Sequence, residues 1–250
     1  MARAFEGVRV TTQPNGGVAA ASNAGLGQAA GEFVLFLDHD DLLEPDAIAH
    51  HLAAFEARPE AEMVFGSNRL ISETGASLGE NLQSPRVFSG RDVAMGTTPS
   101  FSQAMYRRAA LERIGGFRPE ARASADHDLN IRLLEDRPAG FCHGEIVMSY
   151  RLHSGQQTRS PSKLYRNHME ILRLHFGPGG ILEDPAYLSE ITRHWQRYYG
   201  QFMPSEAARM VLRGRPRDAL RSLGVFLGAS PQAGLGAARY MRQRMFGSGG

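Results

Sequence analysis

Val8 to Thr12 is a short run rich in β-branched residues and reads as a strand. The Ala-rich stretch Val18 to Ala30 favours a helix, and Asn15 is placed to cap it. Phe33 to Leu37 is apolar at every position. A run without polar alternation is how a strand buried on both faces reads. Pro45 sits in the first turn of the next expected helix, flanked by Glu44 and Asp46, which suit its N-terminal dipole; that helix runs to about Arg58. Glu62 to Gly66 is a further strand candidate. The order strand, helix, strand, helix, strand implies a parallel, doubly wound α/β sheet.

Residues 72–100 are richer in Gly, Ser, Thr and Pro and read as a mobile or acceptor-facing loop. Arg107 to Ile114 reads as a short helix ended by Gly115-Gly116, Leu129 to Leu134 as the start of another, and Val147 to Tyr150 as a strand. From about Ser162 the pattern is all helical, broken by Gly177-Pro178-Gly179-Gly180, Pro204, Gly214-Arg215-Pro216 and Ser230-Pro231. The expected organisation is an α/β catalytic domain over 1–160, a helical extension over 161–246 and a disordered tail over 247–250.

Composition adds limits. Hydrophobic residues make up 42% of the 250, enough for a real core. Cys142 is the single cysteine, so no internal disulfide can form, which fits a reducing, cytoplasmic setting. No apolar stretch reaches the roughly 18 residues a membrane span needs. Charge is uneven: residues 204–250 carry +6 and residues 1–203 carry −4. The body therefore lacks the basic footprint of a nucleic-acid binder. The tail places Arg213, Arg215, Arg217 and Arg221 near Val211, Leu212, Leu220, Leu223, Val225, Phe226 and Leu227, and alternates Arg239, Arg242 and Arg244 with Tyr240, Met241, Met245 and Phe246. Such helices either pack on the body or lie at the cytoplasmic face of an anionic membrane.

The candidate chemistry starts at Asp38-His39-Asp40-Asp41, directly after the apolar run. Ligand sites of open α/β sheets lie at the carboxyl ends of strands. Two carboxylates one residue apart on an extended chain end can both reach one Mg²⁺ or Mn²⁺, a hard cation that keeps places for water and phosphate. The rival reading is an acidic turn that caps the next helix, a job that suits Asp41. Gly25-Leu26-Gly27-Gln28-Ala29-Ala30 matches a dinucleotide fingerprint but closes a helix rather than opening one, so it is set aside. His50 and His51 are adjacent, not at i, i+4, and read as helix surface.

Several stretches together resemble the family 2 glycosyltransferases. Asn15 to Gly25, Gly31-Glu32-Phe33 and Phe36 to Asp41 look like the family's central signature. Gly115-Gly116-Phe117, then Asp126-His127-Asp128-Leu129 and Arg132-Leu133, is similar to its acceptor-side motif, and Tyr150-Arg151-Leu152-His153 to the segment that closes its catalytic domain. The pieces stand in family order over about residues 8–160. The resemblance implies a GT-A fold and inverting, metal-dependent transfer of a sugar from a nucleoside-diphosphate sugar to a glycan or lipid-linked acceptor, in cell-surface polysaccharide or glycoconjugate synthesis. Asp38 and Asp40 would hold Mn²⁺ or Mg²⁺, and Asn15 and Asn23 would line the nucleotide pocket. Asp126 would be the general base, with Asp128 as the other candidate; capping of the helix before Leu129 is the rival role for both. His153 would be a third metal ligand, a diphosphate contact or a structural histidine. Arg151 and Arg159 would approach phosphate or stay solvated.

The resemblance also expects a strand, a helix and a second strand before Val8, so the sheet would be N-terminally truncated by about 60 residues. Ser22 stands where the family commonly has a basic residue, and Ala125 where an acid often precedes the base. Two other functions compete: a truncated, non-catalytic GT-A remnant that binds a partner, and a nucleotidyltransferase. The Gly-rich basic triphosphate loop that would favour the latter is not visible.

Overall fold

The structure is a computed structural model that describes residues 7–97, 99–153 and 160–227. In chain order, its first half contains α1 (Gly17–Leu26), β1 (Phe33–Leu35), β2 (Leu42–Leu43), α2 (Ala47–Ala57), β3 (Met63–Ser72), β4 (Ser77–Asn81), β5 (Arg86–Phe88) and α3 (Gly90–Met95). Then come β6 (Ala104–Arg107), α4 (Arg108–Arg113), α5 (Ala125–Leu134) and β7 (Gly140–Leu152), followed by α6 (Pro161–Phe176), α7 (Pro185–Gly200), α8 (Met203–Leu212) and α9 (Pro216–Leu227).

The sheet runs β1-β6-β3-β7-β2, with β4 beside β3 and β5 beside β7. This is the expected α/β class, but strand direction is mixed. β3 and β7 pair in parallel over their length. β6 enters antiparallel between β1 and β3, and β2, β4 and β5 also pair antiparallel. The reason is local: α4 starts at the residue after β6, and a short hairpin rather than a crossover helix joins β3 to β4.

Burial explains where the sequence pattern misled. Val8 to Thr12 is not a strand; Val8 and Val10 are 52% and 41% exposed, and no strand among the described residues pairs with them. β1 is covered on both faces, since Phe33 and Leu35 pack with Phe55 and Val64 while Val34 and Phe36 join the main core. It ends at Leu35, however, and Leu37 turns to solvent. The expected loop over 72–100 holds β4, β5 and α3. β4 is exposed at every position, so no alternation marks it. α3 carries a capping box between Ser89 and Asp92. His51 is not helix surface but fully buried, with its Nδ1 3.1 Å from His143 Nε2. Pro204 falls inside the first turn of α8 rather than between helices.

The C-terminal helices share the sheet's core. α6 buries Tyr165, His168, Met169, Leu172, His175 and Phe176, and α7 buries Ile191, Trp195 and Tyr199, both at helical spacing. The apolar members belong to the same cluster as Met63 and Phe65 of β3, Tyr106 of β6 and Leu129 of α5. Each large apolar side chain buried this way contributes roughly 1.5–3 kcal/mol. Glu206 of α8 binds the entry to α6, accepting from Ser160 Oγ at 2.7 Å and Ser162 N–H at 3.1 Å, and also from Ser222 Oγ of α9 at 3.0 Å. Val211, Leu212 and Leu220 stay exposed. Arg159, Ser230-Pro231, the alternating Arg239 to Phe246 and the 247–250 tail lie outside the described residues. Among the described residues no helix is long and apolar enough to cross a membrane.

Candidate active site

The acidic turn leaves β1 through Phe36, whose ring makes edge contacts with Phe117 at 5.0 Å and Tyr106 at 6.1 Å. Asp38 N–H donates to Ser102 Oγ at 3.0 Å, and Asp41 N–H to Asp38 O at 3.2 Å, which closes the turn. β7 clamps it from the other side. Arg151 Nε donates to Asp40 O at 2.8 Å, Arg151 N–H to Asp41 Oδ1 at 3.1 Å, and His153 Nε2 lies 2.9 Å from Asp40 Oδ2. Arg151 also grips the carbonyls of Ser72 and Glu73. It therefore holds the turn's backbone rather than standing solvated. Asp41 does not cap α2, whose N-cap is Asp46; it is buried against β7.

The three carboxylates differ electrically. Burial, then the charge of Asp40, pushes Asp38 above the ordinary carboxylate range. Burial also resists ionisation of Asp40, but the His153 hydrogen bond and its neighbours outweigh this and hold it low. Burial pushes Asp41 up. No group of three His, Cys, Asp or Glu side chains that could hold a metal ion occurs among the described residues. Two carboxylates still fit a cation of the Mg²⁺ type, which takes one or two carboxylates and fills its shell with phosphate and water. Asp38 and Asp40, one residue apart on the turn, with the charge of Asp40 helping to push Asp38 up, are the pair that would hold such a cation. His153 reaches the site through Asp40's carboxylate.

The second acidic motif lies inside α5, not before it. Asp126 and Asp128 both fall in its first turn. Their surroundings separate them. Asp128 is fully buried; His175 Nε2 lies 2.9 Å from its Oδ1, and Arg132 Nε donates to its Oδ2 at 2.9 Å. Burial opposes its charge, but His175 and Arg132 outweigh that and keep it low. Arg132 in turn holds the carbonyls of Ile114 and Gly116 at 3.0 and 2.7 Å. Asp128 is therefore an anchor for the Gly115-Gly116 loop, with its oxygens engaged, and it does not reach the cavity that Asp126 lines.

Asp126 Oδ1 accepts from the His127 N–H at 2.8 Å, and Asp126 borders a cavity of about 670 Å³. Burial first, and then the charge of Asp38, pushes its carboxyl up to about 6. The remaining wall comes from His127, the α3 loop at Gly96 and Ser100, and His168, Trp195, Tyr198 and Tyr199 of α6 and α7. Burial forces His168 down to about 3 and His127 well below its ordinary value, which disfavours the charged form of both imidazoles. The rings of His127 and His168 are 4.0 Å apart, and Trp195 Nε1 donates to Ala94 O at 2.7 Å. An adjoining cavity of about 650 Å³ shares Tyr198 and Ser100 and is lined by Asn68, Asn81, Gln83 and Arg86.

The two asparagines stand apart from this chemistry. Asn15 is exposed and its Oδ1 accepts from Gly17 N–H at 3.1 Å, a local turn at the start of α1. Asn23 clamps the second motif: its Nδ2 donates to Phe117 O and its Oδ1 accepts from Phe117 N–H, both at 2.8 Å. Gly116 has φ +68°, and a Cβ there would stand 2.5 Å from Asn23 Oδ1, so the site requires glycine. The sequence reading missed Ser102, His168 and the α7 aromatics. Trp195, Tyr198 and Tyr199 at i, i+3 and i+4 were a visible stripe, but nothing local said which element it would face.

Comparison with known proteins agrees with the geometry. The family model for glycosyl transferase family 2 matches residues 1–115. The hyaluronan synthase of Pasteurella multocida is 30% identical over 179 residues, which is 70% of this chain and 18% of the synthase. The chondroitin synthase of the same species is 31% identical over 169 residues, 66% of this chain and 17% of the synthase. The chain thus spans less than a fifth of those relatives. The putative teichuronic acid biosynthesis glycosyltransferase TuaG of Bacillus subtilis is 27% identical, with 67% of each chain covered. Among solved structures, S. aureus TarS in complex with UDP has a TM-score of 0.53 at 17% identity, covering 86% of this chain and 61% of TarS. The mannosyltransferase PcManGT from Pyrobaculum calidifontis, in complex with GDP-Man and Mn²⁺, has a TM-score of 0.52 at 16% identity, covering 93% of this chain and 68% of its own. These likenesses establish a fold of the GT-A type.

Proposed function

We propose that this chain is a family 2 glycosyltransferase that transfers a sugar with inversion from a nucleoside-diphosphate donor to a hydroxyl of a glycan acceptor in polysaccharide assembly. The observation that carries this reading is Asp126: a carboxyl that borders a cavity and feels the charge of the Asp38 turn. Asp38 and Asp40 would hold Mn²⁺ or Mg²⁺ with the donor's phosphates. A cation there supplies charge to balance the nucleoside-diphosphate leaving group.

The chain's own residues do the rest. Asp126 takes the proton of the acceptor hydroxyl, whose oxygen bonds to the donor's anomeric carbon as the bond from that carbon to the diphosphate breaks. One displacement inverts the centre and needs no covalent enzyme intermediate. Arg151 and His153 fix the acidic turn. Asp128, Arg132 and Asn23 fix the Gly116–Phe117 loop beside α5. The wall contributed by α6 and α7 supports a catalytic unit that extends past residue 160.

Calorimetry with UDP and GDP, with and without Mn²⁺, tests the donor side. Binding is expected to require Mn²⁺, and Asp40→Asn to weaken it roughly 10–100-fold. Equal binding by Asp40→Asn, or no Mn²⁺-dependent binding of either nucleotide, counts against this reading and favours a non-catalytic binding module.

A further inference from the structure

The paired helices α8 and α9 turn one side inward. Met203, Ala207 and Ala219 are buried, and Glu206 ties the pair to α6 through Ser160 and Ser162 and to itself through Ser222. The other side is in solvent and is of mixed character. Leu212, the last residue of α8, is 86% exposed, and Leu220 of α9 is 70% exposed. On α9, Arg217, Leu220, Arg221 and Gly224 are exposed at i, i+3, i+4 and i+7 spacing, so Leu220 shares one stripe with two arginines. Arg213 and Arg215 follow Leu212 in the turn between the helices, and both are exposed. Of the two acids in this stretch, Glu206 is buried and Asp218 accepts from Arg215 Nε at 2.7 Å. A face that is merely solvated carries charge without bare leucines, and a face packed on a core hides its leucines. This one does neither.

We propose that the α8–α9 pair docks on the anionic surface of a phospholipid bilayer, with Leu212 and Leu220 entering the headgroup boundary and the arginines beside them bound to lipid phosphates. Such docking fixes where the protein sits and is independent of what it transfers. A planar guanidinium offers paired N–H donors that match the oxygens of a phosphate. Each arginine held near an anionic leaflet raises affinity about fivefold. The leucines are what select a bilayer. A soluble polyanion would satisfy the arginines and leave both leucines in water, whereas a helix face that sinks about 5–10 Å into the headgroup and acyl boundary removes them from it. The hydrogen bonds of Glu206 hold the pair on α6, so the face is presented without first having to be ordered.

Co-sedimentation of the full chain with lipid vesicles is the test. Binding is expected to vesicles of phosphatidylcholine mixed with phosphatidylglycerol and not to phosphatidylcholine alone, and it is expected to weaken as salt rises. Arg217→Gln combined with Arg221→Gln should weaken it about tenfold or more. Leu212→Ser combined with Leu220→Ser should weaken it about tenfold. All four positions are exposed, so the urea midpoint of each double variant is expected to match the parent. No binding to the phosphatidylglycerol vesicles overturns the proposal. Binding that the arginine pair leaves unchanged places the contact elsewhere, for example at Arg239, Arg242 and Arg244, and overturns it too. Binding that falls with the arginine pair but not with the leucine pair is attraction to any polyanion, and it overturns insertion at the bilayer surface. Mn²⁺-dependent nucleotide binding, read by calorimetry, is expected to be unchanged in both double variants, so a failed vesicle experiment and a failed donor side are told apart.

Discussion

The acidic turn after β1 and the first turn of α5 each carry closely spaced aspartates, yet these gain their properties in opposite ways. At the turn, Asp38, Asp40 and Asp41 crowd one another; burial pushes Asp38 and Asp41 up, while the His153 hydrogen bond from β7 helps hold Asp40 low. At α5 the acids differ in surroundings: Asp128 is fully buried with His175 and Arg132, while half-buried Asp126 borders a cavity and accepts from His127 N–H. Charge crowding makes a place for a cation. A lone, desolvated carboxyl makes a base with affinity for a proton near neutral pH. On the proposed reading, the same residue type serves two ends of one displacement.

The sharpest way to break this contrast is Asp126→Asn. It keeps the acceptor oxygen for His127 N–H and removes only the base. A sugar-transfer assay should show kcat lower by about 10²–10⁴-fold with nucleotide binding retained. A full-rate variant would remove Asp126 from the chemistry. Asp128→Asn tests the other acid of the same helix turn. It leaves Arg132 buried against a neutral partner, so urea unfolding should show a loss of about 3–5 kcal/mol. A stability within 1 kcal/mol of the parent, again about the scale of an exposed pair, would make the buried network dispensable.

The smallest effect is the pH profile. With the Asp126 carboxyl pushed up to about 6, kcat/KM should fall about tenfold between pH 7 and pH 5, where the base is protonated. Stability moves the opposite way. Between about pH 4 and pH 6 the folded state keeps a proton that the unfolded chain has shed, so ionising Asp126 costs stability as pH rises through that window. In Asp126→Asn that slope should vanish from a denaturation series. An unchanged slope would mean that Asp126 titrates like an exposed carboxylate.

Much of the donor side was legible in sequence because it is local: an apolar run followed at once by Asp38-His39-Asp40-Asp41 reads as a strand end with ligands. Asp126 was legible only through its motif. What separates it from Asp128 was not, because His175 is 47 residues away in the chain and the aromatic wall is farther still. The same holds for Asn23, which looks like a pocket residue in its motif but meets Phe117 across 94 residues. Val8 to Thr12 failed for a related reason: β-branched composition describes a preference, and a strand also needs a neighbour. β4 escaped notice because its side chains all face solvent.

The shared core of sheet and helices has a consequence for the order of events during synthesis. Asp38, Asp40 and Asp126 are all translated before α6 and α7 exist, while Trp195 and Tyr199, which line the cavity beside Asp126, come roughly 70 residues after it. A growing chain therefore carries its acids bare to water, with ordinary carboxylate character. The cavity wall beside Asp126 is complete only once α6 and α7 dock, so a rise in the proton affinity of Asp126 is expected to report that docking.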